Sequence, residues 1–179
     1  MEYQYLIKAV DHAPFIIIIL GLMIAWHGYY ARWLLISYGI LETLDHLIHL
    51  EIRSWLTHFY IMNSLIIIVF MFPILLRRPI ALFIFRKTGR EYFAIVGNRQ
   101  GLSKYEVIIL WLMASTAVVN FITWIEVICY KYWIIDYVYI KFHFRDYYMV
   151  SVHLVTLAAM YSYSFYTFIS KSQIKKVHR

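Results

Sequence analysis

Cysteine is almost missing from this chain of 179 residues, and its single example, Cys129, excludes an intrachain disulfide or a thiolate-only metal centre within one copy. Charge is scarce too: charged residues make up 15% of the sequence and hydrophobic ones 63%. Catalytic signatures are equally absent. There is no Gly-rich phosphate loop, nucleophile elbow or His-Glu-x-x-His, and no paired carboxylates lie within the apolar runs. The expectation is a non-enzymatic protein with no cofactor. Nor does the start resemble a cleavable signal, since one Lys precedes the first apolar run and no small-residue cleavage pattern follows it.

What is present is apolar length. A run of about 20 residues rising 1.5 Å each crosses a bilayer core, and four stretches qualify: residues 13–31, 55–76, 107–124 and 147–168. A soluble core of this size has no room for four such helices. The fold class expected is therefore an all-α integral membrane protein, a four-helix transmembrane bundle forming one membrane domain over residues 1–179.

Basic residues are unevenly placed. Residues 77–104 carry Arg77, Arg78, Arg86, Lys87, Arg90, Arg99 and Lys104 against Glu91, and the tail at 169–179 adds Lys171, Lys175, Lys176 and Arg179. The connections at 32–54 and 125–146 are close to neutral. Because cytoplasmic loops hold the excess Lys and Arg, this predicts a multi-pass protein of the inner (plasma) membrane, with both termini cytoplasmic and two outer connections. Tyr and Trp, including Trp26, Trp33, Trp55 and Trp133, cluster where headgroups would lie. Arg53 and Arg145 hold equivalent places before the second and fourth runs, an architectural echo between two hairpins.

The connections differ in character. Across 32–54, Ile40, Leu44, Leu47 and Ile48 recur at helical spacing, which predicts an amphipathic surface helix. Residues 137–145 fit either a short strand or a continuation of the third helix. Inside, Ile80 to Arg86 and Glu91 to Val96 flank Gly89, and their aromatic and β-branched content predicts a cytoplasmic β-hairpin, with a membrane-surface amphipathic segment as its rival.

Several side chains are candidates for function. Glu42, Asp45, His46 and His49 lie on one helical face at a spacing that can hold a divalent metal, although a solvated polar face is the plainer reading and no metal is expected. His27 and His153 sit at similar depths, which permits one bis-histidine haem and supports an alternative reading as a redox subunit. Within the spans, Asn63, Thr116, Asn120, Thr123 and His153 are polar; they serve interhelical packing or, as another alternative, a small pore lined by Asn63, Asn120 and Thr123. Glu126 alone does not make a proton path. Arg86, Lys87, Arg90 and Arg99 form the expected docking surface for anionic lipid or a soluble cytoplasmic partner.

Four spans, small outer connections, a basic inner face and no catalytic motif resemble the membrane subunit of the Kiwa antiphage defence system. That resemblance covers architecture and transfers no individual residue. It implies a homo-oligomeric membrane sensor that anchors a soluble partner, with nucleic acid reached only through that partner.

Overall fold

Proline decides where the second apolar run stops. Pro79 has no N–H, and its ring excludes the carbonyl four residues earlier, at Leu75. The helix through that run ends there, and the next starts two residues later, bent by 66°. This computed structural model describes residues 2–26, 28–52, 55 and 57–177, with side chains for 13–26, 28–48, 55 and 57–170. Among the described residues the chain is all-helical, with seven α-helices and one π-helical turn: α1 (Glu2–Ile24), α2 (Tyr29–Ile52), α3 (Phe59–Leu75), α4 (Arg77–Thr88), α5 (Glu91–Asn98), α6 (Lys104–Lys131), the turn Ile140–Phe144, and α7 (Arg145–Val177).

Two approaches at glycine fix the first hairpin. Gly21 of α1 faces Leu35 of α2, and Gly39 of α2 faces Ile18, so the two helices are antiparallel. Gly28 in their turn lies against Thr167 while Gly21 lies against Ser164, so α7 runs parallel to α1. The end of α1 is closed by a cation: Arg32 Nη1 donates to the Trp26 carbonyl at 3.3 Å, where the helix dipole is negative.

The long helices therefore share two ends. At the basic end meet the α1–α2 turn, α4, α5, the start of α6 and the later part of α7. At the distal end meet the start of α3, the end of α6, the π turn and the start of α7. Ser64 Oγ of α3 donates to the Ala117 carbonyl of α6 at 2.9 Å and sets the antiparallel register between them. The main core gathers Ile18, Leu34, Leu35, Ile109, Met113 and Met160, and a second cluster, Trp33 with Ala81 and Val96, seats the short helices on α2.

Several expectations change. The apolar run 13–31 is split by the turn after Ile24, which leaves 12 apolar residues (Ala13–Ile24) in α1. Twelve residues rise about 18 Å, short of the roughly 30 Å hydrocarbon core. Among the described residues, only α6 is by itself long and apolar enough to cross a membrane, and the bent α3–α4 pair gives a second if taken together. The helices therefore do not support a four-span bundle. Residues 32–54, expected as an outer surface helix, belong mostly to α2, whose first half is core: Ala31, Leu34 and Leu35 are buried. Having both ends on one face requires α1 and α7 to oppose each other, and they run parallel.

The expected β-hairpin is a pair of helices. Gly89 does supply the left-handed turn residue, with φ of 65°, but it caps α4 by donating its N–H to the Phe85 carbonyl at 2.8 Å. Small residues explain the outcome, because Ala81 and Gly97 let α4 and α5 approach as helices, and a Cβ on Gly97 would sit 2.8 Å from Leu82. Residues 137–145 are neither strand nor a continuation of α6. They hold the π turn that leads into α7.

Candidate functional site

Aromatic rings and arginines build the basic end from the inside out. At the root of α4, Arg77 is 3% exposed and donates through Nη1 to Glu106, itself 1% exposed, in the first turn of α6. Its Nη2 donates to the Gly101 carbonyl at 2.6 Å. Glu106 is held by its own helix start: its second oxygen accepts from Ser103 N–H at 2.6 Å, while Ser103 Oγ accepts from Glu106 N–H at 3.1 Å, a reciprocal capping box.

Two further arginines are ordered by aromatic faces. Arg99 lies over the Tyr30 ring, 4.6 Å from its centroid, and its Nη1 reaches Tyr163 Oη at 3.5 Å. Arg32 lies over Tyr92 at 4.0 Å, which ties α2 to α5. Burial raises the Tyr92 phenol above its ordinary range, and Arg32 partly opposes that rise. Trp33 Nε1 donates to the Pro73 carbonyl at 3.1 Å, next to the α3–α4 break.

Arg77 and Arg99 also line a cavity of about 400 Å³, together with Arg78, Gln100 and Gly101 and the apolar Ile74, Leu75 and Leu102. Arg86, Lys87 and Arg90 are exposed at the tip of the α4–α5 hairpin. The docking residues expected from sequence thus divide: three share the tip, while Arg99 belongs to the cavity at the root. Sequence reasoning missed the Arg77–Glu106 pair, although Ser103 three residues before Glu106 carried the capping signal.

The polar residues of the distal half are packed. Asn120 Oδ1 accepts from Arg145 Nε at 3.1 Å, and the Arg145 guanidinium covers Tyr60 at 4.8 Å. The hydroxyls of Thr116 and Thr123 donate to carbonyls of their own helix, at Leu112 and Val119. Asn63, Asn120 and Thr123 are all buried. Glu126 receives the N–H groups of Ile140 and Lys141 at 2.7 and 3.0 Å and so caps the π turn.

His153 lies on α7, whereas its expected haem partner His27 lies outside the described residues. Glu42, Asp45 and His46 lie on α2, and the side chain of His49 is outside the described set, as are Arg53, Arg179 and the side chains of Lys171, Lys175 and Lys176. Among the described residues no three His, Cys, Asp or Glu side chains gather as a metal site.

Over the described residues, fold and site define an all-helical protein with one or two membrane-capable helices and a basic end organised by arginine–aromatic contacts. No protein-family model, curated protein or solved structure matches the chain.

Proposed function

We propose that the protein is a non-enzymatic, multi-pass membrane protein of the inner membrane whose basic end holds an acidic soluble partner at the cytoplasmic face. Membrane placement is supported by what covers the helices. Leu65, Val69 and Phe72 on α3, Val107, Trp111, Phe121 and Ile125 on α6, and Leu154, Phe165 and Phe168 on α7 are all exposed. Soluble monomers rarely expose large apolar side chains along several helices at once. Between Glu106 and Glu126, α6 carries no formal charge; those 20 steps rise roughly 30 Å, the thickness of the hydrocarbon core.

The observation that carries the docking role is the hairpin tip. Arg86, Lys87 and Arg90 are exposed, and among the described residues none of them pairs with a carboxylate. α4 turns 66° away from α3, and the exposed cations at the hairpin tip suit electrostatic capture of an acidic surface. The likeness to the Kiwa membrane subunit bears less weight, since it rested on four spans, and α2 now runs beside α1. Antiphage sensing and homo-oligomerisation stay attached to that likeness.

Reversing Arg86, Lys87 and Arg90 to Glu together tests the docking role, with Lys104→Glu as a control on the same end. The expected result is that a soluble protein co-purifies with the native chain and the control, is released by salt, and is lost from the triple variant. Equal retention by the triple variant contradicts the proposal.

A further inference from the structure

The cavity at the root of α4 has a chemistry that the docking tip does not use. Of its arginines, only Arg77 has a carboxylate partner; among the described residues Arg78 and Arg99 have none, and no acidic side chain lines the cavity. Glu106 neutralises one cation and its second oxygen is occupied by the Ser103 N–H, which leaves the site with two uncompensated charges. Arg77 Nε, buried beside it, has no hydrogen-bond partner among the described residues. Arg99 is already oriented by Tyr30 and Tyr163, so little side-chain entropy is lost when its planar fork meets an anion. α4 also begins here without a side-chain cap at Leu76, and a helix start favours negative charge.

We propose that this cavity binds a phosphate group, held by Arg78, Arg99 and Arg77. Its size suits a small ligand. Leu75 argues for the phosphate of an anionic phospholipid over a free phosphorylated solute. The same side chain walls the cavity and continues the exposed apolar flank of Leu65, Val69 and Phe72, along which an acyl chain would lie.

The test uses the full chain in nanodiscs and reads the ligand-induced change in melting temperature. One arm compares phosphatidylcholine discs with discs that also contain phosphatidylglycerol. The other titrates inorganic phosphate into phosphatidylcholine discs at constant ionic strength. A double variant, Arg78→Gln with Arg99→Gln, removes the two unpaired cations and leaves the Arg77–Glu106 pair intact. Arg86→Gln with Arg90→Gln removes equal charge at the tip. The expected result is stabilisation by phosphatidylglycerol in the native chain and the tip variant, with apparent affinity about tenfold or more weaker in the cavity variant. The same pattern with inorganic phosphate and none with the lipid supports the site and assigns it to a free phosphorylated solute. No shift with either probe, an unchanged shift in the cavity variant, or an equal loss in both variants overturns it.

Discussion

The guanidinium of Arg77 and the carboxylate of Glu106 form a buried ion pair that locks the start of α4 to the first turn of α6. Removing one partner leaves the other charged in a dry site, a change that costs about 3–5 kcal/mol, whereas replacing both by apolar residues of similar size is far milder. Glu106→Gln is therefore expected to lower the unfolding midpoint in detergent strongly. Arg77→Met with Glu106→Leu should recover most of the loss, and a double variant as unstable as the single one would show that the pair is not the cause.

Gly97 of α5 lies against Leu82 of α4. A methyl group there meets the Leu82 side chain at 2.8 Å, so Gly97→Ala must displace that side chain or the hairpin itself. Overpacking of this kind costs about 1–3 kcal/mol. Faster hydrogen exchange confined to α4 and α5, with α6 unaffected, is the expected signature.

Trp133 sits just past α6 with φ of 58° and is almost fully exposed. Left-handed backbone at a non-glycine residue costs about 1–2 kcal/mol, and the Ile134 N–H closes the cap on the Cys129 carbonyl at 2.9 Å. Trp133→Gly should raise stability in detergent by about 1 kcal/mol. A decrease in the same denaturation measurement would mean that the indole makes a contact worth more than the strain.

Tyr92 gives the basic end a dependence on alkaline pH. Its phenol is raised by burial, so the neutral form is the one that α5 and α2 hold. Its stabilisation is fully present below the ordinary tyrosine pKa of about 10 and is lost as pH rises through the higher folded value. Hydrogen exchange of α5 should accelerate there, and Tyr92→Phe should remove that step.

Long apolar runs made α3, α6 and the middle of α7 legible, because nothing in them competes with a helix. The division of residues 13–31 was hidden: Gly28 is marked for a turn by its close approach to Thr167, a contact 139 positions away along the chain. The inner loop misled for a related reason. Ile80, Phe83 and Phe85 favour a strand locally, and the helical outcome depends on Ala81, Val96 and Trp33 packing together across three elements. Arg86, Lys87 and Arg90 were singled out by charge alone, and they are exposed at the hairpin tip. Arg77 and Glu106 lie 29 residues apart and looked like unrelated flanks of two spans.

Topology tests the central claim most directly: that the basic and distal ends lie on opposite faces of a bilayer, with the basic end inside. In a Cys129→Ser background, single cysteines at Lys87 on the hairpin tip and at Asp136 after α6 are exposed to a membrane-impermeant maleimide in intact cells. The predicted result is that Asp136→Cys is labelled at once and Lys87→Cys only after the membrane is permeabilised. Labelling of both from the same side, or release of the protein from membranes by alkaline carbonate, would contradict it.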